Sequence, residues 1–567
     1  MHMIQNNMYK TARETFEAIV AEAYSTAAAK GQLPTAETTN PAVEVPRDPQ
    51  NGDLCSTFAL AAAKTLHQSP KKIADILLAN MAPNELFCEY TVAGPGFLNA
   101  RFSDAWYYSV LASAEAGGDR YGQDDIGHGQ RVMIEFVSAN PTGPMHLGNA
   151  RGGVIGDSIA SVLDRAGYQA WREFYVNDAG NQVDNFAKSI EARYIQRLKG
   201  EDAVEFPENG YHGDDIRELA DELVALYGDT YLNTDEATRR SDMMLFGLKK
   251  NIERMKKDLA RYNINYDCWF FESSLHESGY VKETIDLLEQ RGALYEKDGA
   301  KWFRATDYGA EKDEVIVKSN GFYTYYAVDI AYHRNKFCER GFDRVIDAFG
   351  ADHHGHTLRF RAGTAALGID AARLDFILFQ LVDLKRNGES VRMSKRTGKM
   401  ISLSNLLDEI SVDAARFFFN MRQCNTHLEF DLDLAVREDS ENPVYYVQYA
   451  HARICSLLKK LAESGLTPVE MDSLDASLLS GPTERTLIKQ IAMLPEEIRL
   501  AARDLEPYRM TKYLIDLATA FHSFYTESNI KTADPAVACA RLTLADTTRA
   551  VLKNVLGLLK ISAPEQM

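Results

Sequence analysis

Long apolar runs are missing from this 567-residue chain. No stretch of about 18 hydrophobic residues occurs, and Met1–Lys30 lacks the apolar core of a cleavable signal peptide. Neither a membrane span nor a secretory route is expected. Cysteine is scarce: the seven, at 55, 88, 268, 338, 424, 455 and 539, include no CxxC pair. A disulfide framework and a zinc ribbon are therefore not indicated, and a reducing cytoplasm fits. Positive charge is also short, 63 Lys+Arg against 81 Asp+Glu for a net −18, which at first sight speaks against binding a polyanion. Distribution matters more than the sum. From Glu441 to Met567 there are 14 basic and 15 acidic residues, about −1, so most of the acidity lies elsewhere. Internal repeats and low-complexity tracts are absent as well.

A chain of this length exceeds one hydrophobic core, and three or four domains are expected. Met1–Phe102 reads as a small α/β unit, with helices at Glu14–Lys30 and Ser56–Thr65 and strands Phe87–Thr91 and Gly96–Phe102 around a Gly-Pro-Gly turn. We place this first domain at residues 1–114 and read Glu115–Gln130 as a glycine- and acid-rich linker. Residues 131–425 alternate strand and helix patterns, with strands at Arg131–Val137, Arg344–Phe349 and Asp375–Leu381. Long charged helices (Asp214–Tyr227, Glu236–Asn263) mark residues 182–298 as an insertion. The third domain is placed at 426–567. From about Asn442 it is helical throughout, at Val444–Lys460, Glu484–Arg503, Tyr508–Thr526 and Ala536–Leu558, a helical bundle. The fold expected is α/β multidomain: a Rossmann-like parallel sheet with an insertion, a small N-terminal α/β domain and an all-α C-terminal bundle.

The run Glu135-Phe-Val-Ser-Ala-Asn-Pro-Thr-Gly-Pro-Met-His-Leu-Gly148-Asn149 carries most of the functional information. An apolar, β-branched strand enters a polar loop, and a helix over Asn149–Leu163 follows, with Asp157 and Arg165 expected on its solvent side. Strand, tight loop and helix form the phosphate-handling corner of a doubly wound sheet. The loop lacks GxGxxG and Walker spacing, which disfavours a dinucleotide fold and a P-loop kinase. A lone His-X-Gly means little, since 13 His and 36 Gly in 567 residues give roughly one by chance, and His353-His354-Gly355 is indeed a second.

About 250 residues downstream lies Val391-Arg-Met-Ser-Lys-Arg-Thr-Gly-Lys399, with Arg392, Lys395, Arg396 and Lys399 close around Ser394. Such a loop can wrap cations and backbone N–H groups around phosphate oxygens. In this order the two motifs resemble the His-X-Gly-His and Lys-Met-Ser-Lys-Ser markers of class I aminoacyl-tRNA synthetases. Val45-Pro-Arg-Asp-Pro49, Ala93-Gly-Pro-Gly-Phe-Leu-Asn99, Tyr175-Val-Asn-Asp-Ala-Gly-Asn-Gln182, Tyr325-Tyr-Ala-Val-Asp-Ile-Ala-Tyr-His-Arg334, Gly350-Ala-Asp-His-His-Gly-His356 and Asn442-Pro-Val-Tyr-Tyr-Val-Gln-Tyr-Ala-His-Ala-Arg453 narrow the resemblance to the arginyl-tRNA synthetases, in family order over almost the whole chain.

That resemblance implies ATP-dependent ligation of L-arginine to tRNA(Arg) through an arginyl-adenylate, releasing AMP and pyrophosphate. Such chemistry needs orientation of reactants and neutralisation of the leaving group rather than an enzyme nucleophile. His146 and Asn149 suit the triphosphate, Gly148 admits the adenosine, and Met393, Ser394 and Lys395 complete the ATP site, Lys395 as its point charge. Gly398 is a candidate hinge for a mobile loop. Asn149 stands where the family pattern has a second His, and Arg392 and Arg396 replace the outer Lys and Ser. Magnesium is expected only as part of the ATP complex, with no tightly bound metal.

For arginine, a planar five-donor cation, carboxylates are required. Tyr325 and Asp329 fall on one helical face, and the resemblance assigns them to the substrate side chain. Glu272 is a second candidate carboxylate. The blander roles are pairing of Asp329 with Arg334, helix capping by Asp329, and a structural Glu272. Glu135, Ser138 and Asn140 stand at a strand end for the substrate ammonium, where the resemblance puts that function. His353 is a candidate for the substrate carboxylate or ribose; a His-His-X-His metal site is disfavoured because only Asp352 accompanies it. The aromatic, amide-bearing helix from Val444 is implied to bind the anticodon, with Gln448, Tyr449 and Arg453 as contacts. Phe97 and Asn99 are implied at the tRNA elbow, a buried structural Phe97 being the alternative. Partners expected are tRNA(Arg), L-arginine and ATP, with no membrane, and a monomeric, cytoplasmic protein. Two other readings predict different sequences. A small nucleotidylyltransferase would lack the helical bundle, and a non-catalytic paralogue would lose His146, Lys395 or Asp329.

Overall fold

The computed structural model describes residues 7–38, 42–351, 355–391 and 401–567. His353, Met393, Ser394 and Lys395 lie outside them. A five-stranded parallel sheet organises the centre, in the order Leu374–Phe379, Arg344–Gly350, Arg131–Glu135, Gln169–Val176, Cys268–Phe271. The chain builds outward from Arg131–Glu135 in one direction and then returns to its other side, so the switch point falls between Arg131–Glu135 and Arg344–Gly350. Alternate residues of the first strand feed two cores. Val132 and Ile134 pack on the side of the Leu147–Arg165 helix, and Met133 packs with Tyr326, Ile330 and Val345 on the other. The Leu147–Arg165 helix lies very close to the sheet. A Cβ on Gly156 would overlap Cγ of Phe136, an approach only glycine permits.

The expectation that Asp157 and Arg165 face solvent is corrected. Asp157 is fully buried; its Oδ2 accepts from Arg416 at 2.6 Å and its Oδ1 from Lys560 Nζ at 2.7 Å. Arg416 also donates to the carbonyls of Leu559 (2.7 Å) and Tyr262 (3.0 Å). Arg165 is half-buried and donates to Asn554 Oδ1 at 2.8 Å. The helix is covered on its outer side by the C-terminal bundle, an event that helical periodicity within one segment does not report.

At the N-terminal end, the Met8–Ala29 helix covers an antiparallel sheet ordered Val43–Glu44, Leu54–Ser56, Phe97–Phe102, Phe87–Ala93. The expected Ser56–Thr65 helix is instead a strand through Ser56 followed by a short helix at Phe58–Ala62. The stretch read as a linker is partly the Asp104–Gly117 helix, which passes the expected boundary at 114, and its Tyr121 is buried and donates to the Ile491 carbonyl at 3.1 Å. Within 182–298, the helices Asn181–Lys199, Asp214–Tyr227 and Glu236–Arg261 share a core of their own, but Cys268–Phe271 belongs to the central sheet. Leu428–Asp431 likewise pairs in parallel with Val382–Arg386, carrying part of the span expected in the third domain into the second. The C-terminal bundle comprises Pro443–Ala462, Pro482–Ala492, Leu494–Asp504, Tyr508–Glu527 and Pro535–Leu558. The single helix expected at Glu484–Arg503 is broken at Met493, where Pro495 supplies no amide donor for a continuous helix. Among the described residues no helix is long and apolar enough to cross a membrane.

Candidate active site

The chain leaves the first strand under strain. Val137 and Ser138 have φ of +72° and +40°, a region costly for a β-branched residue. The loop then reaches His146, the N-cap of the Leu147–Arg165 helix, where a reciprocal capping box closes the first turn. The Gly148 N–H donates to His146 Nδ1 at 3.2 Å, and Asn149 Oδ1 accepts from the His146 N–H at 3.0 Å. A neutral imidazole whose Nδ1 accepts carries its proton on Nε2, so Nε2–H is a donor at a helix N-terminus. Asn149 thus has a local reason to replace histidine: its amide oxygen completes the cap. The loop is stitched to the chain just beyond the second motif, because His146 and Ser402 form an isolated antiparallel bridge and the Leu403 N–H donates to the Met145 carbonyl at 2.8 Å. This seam brings Ser402 and Leu403, in the described chain beyond the second motif, against the first motif. Arg151, fully buried one turn below His146, donates to the carbonyls of Gln380 (2.6 Å), Thr426 (2.9 Å) and Gln423 (3.2 Å). It ties the end of the Leu374–Phe379 strand to the segment before Leu428–Asp431.

Beside this corner, acidic side chains converge on the carboxyl ends of the strands. Glu272 opens the helix after Cys268–Phe271 and is 4% exposed. Its Oε2 accepts from the Tyr175 hydroxyl at 2.8 Å, and His276 Nε2 stands 3.7 Å from Oε1. Burial raises the Glu272 carboxyl above its usual range, opposed by the Tyr175 hydroxyl and His276. Asp329 lies on the Tyr325–Arg334 helix, half-buried, one turn after Tyr325. Its carboxyl is raised to about 7, first by burial and then by Glu272 and Glu135, against the lowering influence of His333 and Arg359. No lysine or arginine among the described residues forms an ion pair with Glu272 or Asp329. Glu135, at the end of the first strand, is buried and differs: Lys336 Nζ is 2.6 Å from its Oε2. Ser138 Oγ accepts from the Tyr175 N–H at 3.2 Å, and Asn140 donates to Gln182 Oε1. Tyr325 is 57% exposed and borders a recess of about 430 Å³ lined by Trp302, Glu314 and Arg359.

The structure therefore brings Glu135, Glu272 and Asp329 within electrostatic reach of one another, with Ser138 bonded to Tyr175 and Tyr325 one turn before Asp329, while Asn140 lies in the loop that leads from Glu135 to His146, Gly148 and Asn149. In the C-terminal bundle the outcome is mixed. Tyr445 and Tyr449 stack at 6.1 Å, Arg453 lies over Tyr525 at 4.2 Å and donates to the Tyr449 hydroxyl at 3.1 Å, and all four are partly exposed. Gln448 corrects the expectation of an exposed reader. It is buried, and its amide nitrogen is spent on Asp413 Oδ2 (2.9 Å) and the Ser562 carbonyl (3.0 Å), because the C-terminal tail folds back over its face of the helix. Phe97 is half-buried, and Asn99 is buried with neither side-chain atom hydrogen-bonded among the described residues.

Sequence reasoning missed Tyr175, His333, Lys336 and Asp347 as parts of the site, and His522 and Tyr525 of the aromatic cluster. Tyr175 had one available signal, a polar-tipped residue sharing its strand face with Glu173. The others meet their partners only through tertiary packing.

Three family models together span most of the chain: "Arginyl tRNA synthetase N terminal domain" at residues 11–102, "tRNA synthetases class I (R), catalytic domain" at 111–433, and "DALR anticodon binding domain" at 447–567. The chain is 50% identical over 562 residues to an arginine–tRNA ligase of Acetivibrio thermocellus, covering 99% of this chain and 100% of that protein. An arginine–tRNA ligase of Caldanaerobacter subterraneus matches equally, 50% over 562 residues with the same coverage. The fold is that of the Thermus thermophilus arginyl-tRNA synthetase structure, with a TM-score of 0.73 at 22% identity over 98% of this chain and 100% of that one. The acidic cluster and the histidine-capped helix start thus sit in a chain that belongs to the class I arginyl-tRNA synthetases.

Proposed function

We propose that the protein ligates L-arginine to tRNA(Arg) in two steps. The arginine carboxylate attacks the α-phosphate of ATP, forming arginyl-adenylate and releasing pyrophosphate. The 2′-hydroxyl of the terminal adenosine then attacks the arginyl carbonyl, releasing AMP. The observation that carries this reading is the pair Glu272 and Asp329, sheltered carboxylates without a cation of the described chain, beside the helix start at His146. Such a pair is costly unless a cation arrives from outside, and the guanidinium matches two carboxylates and a tyrosine hydroxyl in shape and charge.

On this reading His146 Nε2 and the N–H groups of the helix start hold the triphosphate, and Asn149 offers its amide nitrogen while its oxygen caps the helix. Lys395 supplies the charge on the leaving phosphates, and the chain beyond its motif meets His146 at Ser402. Met393 and Ser394 would line the nucleotide in the same loop, and His353 the carboxylate or ribose. Magnesium enters with ATP, held mainly by phosphates and water. Glu135, Ser138 and Asn140 take the substrate ammonium. Tyr449 and Arg453 offer stacking surfaces to unstacked anticodon bases, and the half-buried Phe97 contacts the elbow, with the buried Asn99 shaping the turn from within. We read the chain as a monomer acting in the cytoplasm.

The test is aminoacylation of total tRNA with each radiolabelled amino acid in turn, with ATP–pyrophosphate exchange measured with and without tRNA. Charging by arginine alone, lost in Lys395→Ala and Asp329→Ala, supports the proposal. Charging with another amino acid retains the class and discards the guanidinium pocket.

A further inference from the structure

Three carboxylates stand abreast on one face of the central sheet. Asp347 is the register partner of Glu135, and Glu135 of Glu173, on adjacent parallel strands. None is more than 5% exposed. The helix over that face answers with a matching row of donors, His333, Lys336 and Arg340. His333 Nε2 lies 2.8 Å from Asp347 Oδ2, Lys336 Nζ lies 2.8 Å from Asp347 Oδ1 and 2.6 Å from Glu135 Oε2, and Arg340 donates to Glu173 Oε1 at 2.9 Å. Lys336 is fully buried. It is delivered inward by one π-helical turn, Asn335–Glu339, that ends the regular Tyr325–Arg334 helix, and such turns concentrate at functional sites.

Of the three carboxylates only Glu135 occupies the last position of its strand, facing the substrate edge. At the other end of the row, His333 Nδ1 lies 2.7 Å from the carbonyl oxygen of Asp329. One chain of polar contacts therefore runs Glu135–Lys336–Asp347–His333–Asp329, from the acceptor read here as taking the substrate ammonium to the helix turn bearing the carboxylate read as taking its guanidinium. We propose that Lys336 is a positioning residue that sets the separation between these two acceptors, and hence the length of the amino-acid side chain the site accepts. The proposal rests on the amino-acid roles given above to Glu135 and Asp329.

Removing Lys336 alone would leave Glu135 and Asp347 as unscreened buried neighbours, so the informative variant is Lys336→Met with Asp347→Asn, which keeps the net charge. Thermal melting reports whether it folds. The expected result is an arginine KM raised about tenfold or more, the loss expected for one charged hydrogen bond, with the KM values for ATP and tRNA changed by less than about twofold. Discrimination between arginine and homoarginine, one methylene longer, falls by a similar factor. A folded double variant with unchanged arginine KM and unchanged discrimination overturns the proposal, as does a parallel rise in all three KM values, which is the mark of general loosening. If the double variant does not fold, Lys336→Ala is assayed with and without added ethylammonium. Restoration of arginine KM and of length discrimination by that cation supports the proposal, and no restoration overturns it. Glu135→Gln separates the premise from the inference. Wild type is expected to prefer arginine to 5-guanidinopentanoate, which lacks the ammonium, and Glu135→Gln to cut that preference about tenfold, Ser138 and Asn140 retaining the rest. An undiminished preference in Glu135→Gln refutes the assigned role of Glu135. Its reduction there, together with a silent double variant, refutes the role of Lys336 alone.

Discussion

Lowering the pH from 8 to 6 is expected to weaken arginine binding about tenfold, and Asp329 is the reason. Its carboxyl is raised from 3.8 to about 7 because burial, Glu272 and Glu135 all disfavour the second negative charge, with His333 and Arg359 only partly offsetting them. The guanidinium requires the ionised form. At pH 8 about ten molecules in eleven present it, at pH 6 about one in eleven, so apparent affinity falls about tenfold over that window and by little above it. Below pH 7 each arginine bound should release close to one proton. Isothermal titration in two buffers of different ionisation enthalpy measures both quantities. Asp329→Asn is expected to bind arginine more weakly by about 1.5–3 kcal/mol, the range for a lost hydrogen bond to a charged group, and to remove the pH dependence. Stability gives an independent readout with a defined sign. The folded carboxyl is raised above its unfolded value, so the contribution to stability is fully present below about pH 4 and is lost as pH rises through about 7. At pH 8 the ionised side chain costs the ligand-free fold at most about 4 kcal/mol, from the rise of 3.8 to about 7 at 1.36 kcal/mol per pH step. Asp329→Asn should therefore raise the Tm of the ligand-free protein at pH 8 while lowering arginine affinity. Equal wild-type affinity at pH 6 and 8, without proton release, would refute the reasoning.

Other expectations can be checked alongside. Lys395→Ala should slow pyrophosphate exchange about 10²–10³-fold, the scale for one lost charge-stabilising donor, with arginine affinity measured by titration left within about twofold. Tyr449→Ala should raise the KM for tRNA by the loss of about 1–3 kcal/mol per stacked base and leave arginine KM alone; an unchanged tRNA KM removes it from the interface. Gln448→Ala should instead lower the Tm by the equivalent of about 1–3 kcal/mol with tRNA KM little affected, because it leaves Asp413 and the Ser562 carbonyl short of a donor. Gly156→Ala should fail to accumulate as soluble protein or melt far below wild type, since its Cβ would overlap the Phe136 ring.

What can be read from the sequence follows the range of the forces involved. The His146 corner is legible because its structure is local: a β-branched strand, a polar loop and a capping residue lie within about 30 positions, and the cap is closed by Asn149, three residues from His146. Tyr325 and Asp329 are legible for the same reason, one helical turn apart. Asp157 is misread because amphipathic periodicity assumes one covered face, and this helix is covered on two, by the sheet and by Arg416 and Lys560. Gln448 is misread because Ser562, 114 positions away, returns over it in the C-terminal tail. The meeting of His146 with Ser402, beyond the second motif, is a tertiary contact that no local pattern reports.

The charges of the sheet edge fall into two groups. Asp347, Glu135 and Glu173 are each matched by a cation or histidine of the chain at hydrogen-bond distance, so their cost of burial is met whether or not substrate is present. Glu272 and Asp329 are not: the first has a tyrosine hydroxyl and a distant histidine, the second a carboxyl pushed to about 7. A fold that neutralises three carboxylates internally has the means to neutralise five. Leaving two without a lysine or arginine among the described residues destabilises the empty site and makes its restoration conditional on an external cation, so the affinity for arginine and the instability of the ligand-free pocket have one origin. An added internal cation there, as in Tyr175→Lys, should therefore stabilise the empty protein and compete with arginine; a variant that gains Tm at pH 8 yet keeps its arginine KM would break that link.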